Sequence, residues 1–267
     1  MPAPLAVSLL ALALAALPGT PPDRFPDAAS AYLVAVNGRV LWARQPDAAR
    51  PPASLTKIMT ALIVLERGGA LDGWIKVSQK AARATGTRLG LSDGDELRAL
   101  DALTATLVSS SNDACLALAE HVAGSAEAFV ALMNRRAGEL ELGSTRFENP
   151  CGHDAPNHYS TARALWRLAQ VALAFPEFRR IVALERAEVR TRGGRSLSVV
   201  TGNALLGRAL GTTGVKSGFT PAAGKCLVVR AERGGTEVLM VLLGAPDRWW
   251  TAARILEAAF DEAARGG

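Results

Sequence analysis

The chain has 267 residues, enough for one large domain or two small ones, and its 49% hydrophobic and 21% charged residues are ordinary for a globular protein with a sizeable core. Its net charge of +5 comes from arginines dispersed among acids, with no basic run and no aromatic-interleaved patch, which argues against a nucleic-acid partner. Cys115, Cys151 and Cys226 lie far apart, so neither a disulfide framework nor a metal-ligand spacing is expected, and Cys115 and Cys226, set in apolar runs, read as small core residues.

In chain order, the first feature is an apolar run from Leu5 to Leu17, ended by Pro18 and Gly19. It is too short to span a bilayer and reads as the hydrophobic region of an export signal over residues 1–22, although no Lys or Arg precedes Arg24 to supply the usual basic start. Next come two β-rich runs, A-Y-L-V-A-V and R-V-L-W-A-R, around Asn37-Gly38, the strongest two-residue hairpin signal. A helix is expected from Ser54, after Pro51-Pro52, to a C-cap near Gly68-Gly69. From about residue 71 to 188, Ala- and Leu-rich segments recur at helical spacing between short polar loops. The strand signal returns near Val189, and 214–219, 225–231 and 237–243 read as strands, the last two joined at Arg233-Gly234-Gly235. An amphipathic helix from about Arg248 to Ala264 ends the chain. Strands at both ends of a helical middle predict an α+β fold: one antiparallel sheet built from both termini, with a mostly helical subdomain inserted.

Three short motifs carry chemistry. Ser54 and Lys57 are three residues apart, so on a helix they share a face. Such a serine is more often an N-cap, but beside a desolvated lysine it can be a nucleophile next to its base. Of the 30 Lys+Arg only Lys57, Lys76, Lys80, Lys216 and Lys225 are lysine. A lysine on the serine's face is therefore informative, because arginine cannot be deprotonated. The second motif, Ser110-Ser111-Asn112, lies between two apolar helical segments, where a loop presents Ser110 and Asn112 or a turn caps the next helix. The third is Lys216-Ser217-Gly218 on an apolar strand, readable alone as an edge lysine beside a bulge glycine.

Ser-x-x-Lys, Ser-x-Asn and Lys-Ser/Thr-Gly occurring in that order form the motif set of penicillin-binding proteins and class A β-lactamases. From about Ala29 to Phe260 the chain resembles the low-molecular-mass penicillin-binding proteins of the D-alanyl-D-alanine carboxypeptidase family, through S-L-T-K-I-M-T-A, G-L-S-D-G-D, S-S-N-D-A-C-L-A-L-A, N-P-C-G-H, H-Y-S-T-A and V-K-S-G-F-T-P-A-A-G-K-C-L-V. It departs from the family pattern at Ser111, usually glycine, and at Ser217, usually threonine, and it stops after the last helix, without the C-terminal β-domain and amphipathic anchor of many members. The resemblance implies a β-lactamase/transpeptidase-like catalytic domain over residues 23–267, exported and without a stable membrane anchor.

It further implies acyl transfer without a cofactor or metal. Ser54 attacks the carbonyl between two D-alanines of a peptidoglycan pentapeptide, Lys57 serves as base and Ser110 relays a proton to the leaving amine. Asn112 holds the substrate backbone, and Lys216 keeps the site electropositive. The N–H groups of Ser54 and Phe219, the latter following Gly218, form the oxyanion hole, while Ser217 and Arg248 hold the terminal carboxylate. β-Lactams are the expected covalent inhibitors. The rival readings are a D,D-endopeptidase that cuts cross-links, a β-lactamase, and a non-catalytic envelope-binding module. The E-x-x-x-N arrangement of a class A β-lactamase is absent from the sequence.

Overall fold

The computed structural model describes residues 22–68, 71–208 and 211–265, so the apolar leader expected at residues 1–22 lies, up to residue 21, outside the described residues. Strands β1 (Ala31–Val36) and β2 (Arg39–Arg44) form the expected hairpin, with Asn37 and Gly38 both at positive φ, 47° and 78°. That geometry is what a two-residue hairpin turn demands. After a 3-10 turn at Ala53–Thr56 comes helix α1 (Lys57–Glu66), capped at Arg67 just before Gly68, φ 42°, close to the expected C-cap, whose Gly69 lies outside the described residues.

The middle of the chain carries α2 (Gln79–Ala82), α3 (Ala99–Val108), α4 (Asn112–Ala123), α5 (Ala126–Glu139), α6 (Ala162–Leu173) and α7 (Pro176–Val182). Two three-residue strands, β3 (Trp74–Lys76) and β4 (Glu96–Arg98), pair within it, and a second hairpin, β5 (Arg186–Arg190) with β6 (Ser196–Val200), follows. Then come β7 (Thr212–Thr220), β8 (Gly224–Arg233), β9 (Thr236–Ala245) and α8 (Arg248–Arg265).

The main sheet has the order β2-β1-β9-β8-β7, antiparallel throughout, so β1 from the start of the chain pairs with β9 from its end. Alternation along the strands divides the core into two layers. Tyr32, Val34, Val229, Met240 and Leu242 face α8, which buries Ala252, Ile255, Leu256 and Ala259 against them. Leu33, Val228, Val241 and Leu243 point the other way, into a larger core with α1, α3 and α6. Burying a side chain such as Ile255 or Leu256 contributes roughly 2 kcal/mol, so this stripe is what holds α8 on the sheet. Helix α1 is buried on every side from Lys57 to Leu65, the pattern of a central helix. Its buried lysine therefore cannot be a solvent-facing charge. Among the described residues no single helix is long and apolar enough to cross a membrane.

Candidate active site

The three motifs converge where β7, an edge strand, passes the 3-10 turn that precedes α1. Ser54 sits inside that turn and makes no capping hydrogen bond, so the N-cap use of this serine is not realised. Its backbone is pressed from two sides. A Cβ built on Gly218 of β7 would lie 2.8 Å from the Ser54 nitrogen, and one built on Gly152, φ +89°, would lie 2.0 Å from the Ala53 carbonyl oxygen. Both positions need glycine, because the atoms they meet are backbone and cannot swing aside.

Lys57 Nζ lies 3.2 Å from Ser54 Oγ, 2.7 Å from Asn112 Oδ1 and 2.6 Å from the Cys151 carbonyl oxygen. Asn112 opens α4 and donates from Nδ2 to the Thr85 carbonyl at 2.6 Å, which orients its Oδ1 toward the lysine. Its amide, expected to hold substrate, is thus bonded within the protein. Lys57 has 0% exposure, and its pKa is held well below the usual 10.5, first by burial and then by the charge of Lys216. Lys216, 2% exposed, is itself lowered to about 7, by burial and then by Arg248. Desolvation penalises the charged form of a lysine, and a neighbouring cation adds to it. A neutral Lys57 has two N–H bonds for Asn112 and Cys151, acceptors both, and a lone pair left for the Ser54 hydroxyl. That is the arrangement a base requires.

Ser110 lies between α3 and α4 in a left-handed conformation, φ 64°, and its hydroxyl has no hydrogen-bond partner among the described residues. A non-glycine residue held there costs about 1–3 kcal/mol. Lys216 Nζ donates to its neighbour's Ser217 carbonyl at 2.9 Å, and Ser217 Oγ donates to the Gly202 carbonyl at 3.0 Å. Phe219, next along β7, is 61% exposed. Arg248, at the start of α8, donates from Nη1 to the Gly218 carbonyl. Direct contacts or charge thus link Ser54, Lys57, Asn112, Lys216, Gly218 and Arg248, while Ser110 stands two residues before Asn112 and Ser217 and Phe219 flank Gly218 on β7.

The sequence reading missed three parts of the support. Asp113, fully buried beside Asn112, accepts backbone N–H bonds from Leu89, Gly90, Leu91 and Ala114, and so fixes the loop that carries the Thr85 carbonyl. Asn149 Oδ1 accepts from the N–H groups of Cys151, Gly152 and His153, shaping the loop that brings the Cys151 carbonyl to Lys57. The third corrects an expectation outright: Cys115 and Cys151 form a disulfide, with Cα atoms 6.0 Å apart, and only Cys226 is a free buried thiol among the described residues. Their separation of 36 residues and the odd cysteine count hid the pairing. Among the described residues no group of three or more His, Cys, Asp or Glu is placed to hold a metal ion.

The sequence profile of the D-alanyl-D-alanine carboxypeptidase family matches residues 20–247. The chain belongs to that family. It is 34% identical over 247 residues to the D-alanyl-D-alanine carboxypeptidase DacF of Bacillus subtilis, covering 88% of this chain and 63% of DacF. It is 32% identical to a D-alanyl-D-alanine endopeptidase of Escherichia coli, covering 81% of this chain and 71% of that one. Among solved structures, the Streptomyces K15 DD-transpeptidase superposes with a TM-score of 0.82 at 28% identity, over 91% of this chain and 99% of its own. The chain thus spans about three fifths of the length of DacF, and the D-alanyl-D-alanine carboxypeptidase family fold accounts for the sheet, the helices and the expected fold class.

Proposed function

We propose that the protein is a serine D-alanyl-D-alanine carboxypeptidase that removes the terminal D-alanine of peptidoglycan stem peptides through an acyl-enzyme and is acylated by β-lactams. The observation that carries the reading is the dry, doubly hydrogen-bonded Lys57 within reach of Ser54 Oγ. Lys57 takes the Ser54 proton as Oγ attacks the carbonyl carbon between the two D-alanines. The negative charge on the carbonyl oxygen is met by the N–H groups of Ser54 and Phe219, donors aimed at charge as it develops. As the tetrahedral intermediate collapses, the unpartnered Ser110 hydroxyl passes a proton to the leaving amine, and free D-alanine departs. Water then hydrolyses the ester.

Asn112 has a second part besides the one expected of it: bonded to Lys57 and Thr85, it orients the base, and its second Nδ2 hydrogen, without a partner among the described residues, is left for the substrate backbone. Arg248, joined by Lys216 as it protonates below about pH 7, gives the β7 side of the site positive charge, which suits a substrate ending in a carboxylate. The exposed edge of β7 offers backbone groups to an extended peptide.

We place the protein outside the cytosol. The Cys115–Cys151 disulfide supports the export reading, since such bonds persist in oxidising compartments. The endopeptidase reading stays as the alternative because relatives in Escherichia coli and Pseudomonas aeruginosa carry that name. Incubation with purified peptidoglycan fragments, followed by mass spectrometry, separates the two: free D-alanine is expected, and cleaved cross-links without it would make the protein an endopeptidase. Intact-mass measurement with a β-lactam should show one adduct, lost in Ser54→Ala. An adduct that persists in that variant would overturn the assignment of the nucleophile.

A further inference from the structure

The two groups that hold Lys57 from the far side of Ser54 belong to residues joined by a covalent bond. Asn112 lies one helical turn before Cys115 on α4, and Cys115 is bonded to Cys151, whose own carbonyl oxygen receives the second Lys57 hydrogen bond. Residues three apart on a helix share a face, so the amide and the sulfur point the same way. Behind them is solvent-accessible space: Asn112 and Cys151 also line a crevice of about 220 Å³ that opens past Lys80 and Glu127. The same two residues therefore touch the crevice on one side and the fully buried Lys57 on the other. The partition between water and the lysine is one residue thick.

We propose that the Cys115–Cys151 disulfide is a positioning element for the reaction: it clamps the loop bearing the Cys151 carbonyl to α4 and so keeps the crevice water off Lys57. The inference rests on Lys57 acting as the base, and it deepens that reading. The other bonds of the loop shape it and tie it elsewhere. Asn149 organises its interior, Thr60 Oγ1 donates to the Pro150 carbonyl from α1, and Asp154 accepts from Thr220 Oγ1 and the Ala222 N–H at the end of β7. The disulfide is its covalent attachment to α4.

Cleaving the bond has two opposed effects on Lys57. Two thiol sulfurs cannot stay at bonding distance, so the loop and α4 separate and water enters, which restores solvation to the ammonium. Moving the Cys151 carbonyl away removes an acceptor that favours the ammonium. Burial is the larger cause of the lowered Lys57 pKa, so its relief wins and the pKa rises. The charged and titratable groups facing Lys57 are Lys216 on β7 and His153 on the loop. Lys216 stays in place on its strand. His153 is itself lowered from 6.5, so it is neutral at pH 7 and adds no charge when the loop shifts.

The experiment follows acylation by a fluorescent β-lactam across pH, on the full protein with and without dithiothreitol. The dithiol supplies two electrons and two protons, the disulfide becomes two thiols, and the reagent is oxidised to its cyclic disulfide. The midpoint at which acylation rises with pH is expected to move up on reduction, because part of the desolvation is lost. At a fixed pH on the rising limb that lowers acylation, since the neutral fraction of a base falls as the pH lies further below its pKa. Cys115→Ser/Cys151→Ser, which retains the backbone carbonyl, should reproduce the reduced profile and ignore the dithiol. Circular dichroism establishes that both forms are folded. A midpoint that stays put, even with a lower rate or melting temperature, would reduce the disulfide to a structural brace and overturn the proposal, as would a dithiol response that persists in the double variant. If the oxidised wild type is not acylated at any pH, the carboxypeptidase reading itself fails, and this outcome is distinct from the others.

Discussion

Lys216 stands behind Lys57 as a second buried lysine of the same site, and its charge adds to burial in lowering the Lys57 pKa. The order of influence runs inward from the strand edge, since Arg248 in turn adds to the burial that lowers Lys216. Replacing Lys216 by methionine removes the charge and leaves the desolvation, which is the larger cause. The pH at which acylation switches on should therefore rise, while still lying below the ordinary lysine value of 10.5. Rates of β-lactam acylation across pH check this, and an unchanged midpoint would mean that Lys216 does not act on the base.

His158 ties Thr56, the residue before Lys57, to the loop that contacts the base. Its Nδ1 accepts from the Glu148 N–H at 3.1 Å, so Nε2 carries the proton and donates to Thr56 Oγ1 at 2.8 Å. Burial lowers its pKa from 6.5 to about 4. Between those values the unfolded chain binds a proton that the folded protein does not. Its stability contribution is complete above pH 6.5 and is lost as pH falls toward 4, by about 3 kcal/mol once titration is complete. Urea unfolding at a series of pH values should show this loss in the wild type. His158→Gln should be less stable at neutral pH but flatter across that window, and an equally steep variant would assign the acid sensitivity to other groups.

Gly218 is the place where the third motif meets the first. A methyl group there would sit 2.8 Å from the Ser54 nitrogen and 3.3 Å from that of Leu55, so Gly218→Ala forces either the turn or the strand to move. Displacing a nucleophile and an oxyanion donor together should lower acylation about a hundredfold, the scale of a misplacement approaching an ångström. The stability cost should be that of overpacking, roughly 1–3 kcal/mol. Near-normal acylation would show that the turn has slack.

What the sequence made legible follows from where the signal lies. Asn37-Gly38 between two alternating runs, the three long strands near the end of the chain and the amphipathic α8 each carry a local pattern, and the structure has them there. The β5–β6 hairpin was only half read. Its strands are five residues each with one buried position, β5 is charged, and its turn residues do not stand out among the arginines. Strands β3 and β4, three residues each, are too short to leave a pattern and are held by their mutual pairing and by the Leu97 bridge to Thr191. At the proposed site, Ser54, Lys57, Ser110 and Lys216 stand out in the sequence because the proposed chemistry belongs to their side chains. The Cys151 carbonyl was not, because a backbone oxygen leaves no trace in residue identity, and Asp113 was hidden because its partners are backbone N–H groups.

Arg248 and Ser217 were both expected to hold the terminal carboxylate, and the structure makes them unequal. Arg248 commits Nη1 to the Gly218 carbonyl, while its buried Nε has no partner among the described residues. A guanidinium has five N–H donors in a fork, so others remain to meet an oxyanion. Ser217 has one hydrogen, and it goes to the Gly202 carbonyl at 3.0 Å. It can donate to a carboxylate only by giving up that bond, which offsets most of the gain. On a peptide ending in D-Ala-D-Ala, Arg248→Ala should therefore lower kcat/KM by about 1.5–3 kcal/mol, the worth of a hydrogen bond to a charged group. Ser217→Ala should cost less. On the matching amidated peptide the loss for Arg248→Ala should shrink, because the charge it reads is already gone. The comparison needs kcat/KM for the wild type and both variants on both peptides. Equal losses on the free acid and the amide would show that Arg248 supports the Gly218 carbonyl alone and does not read the chain end, and the endopeptidase reading would then be the stronger one.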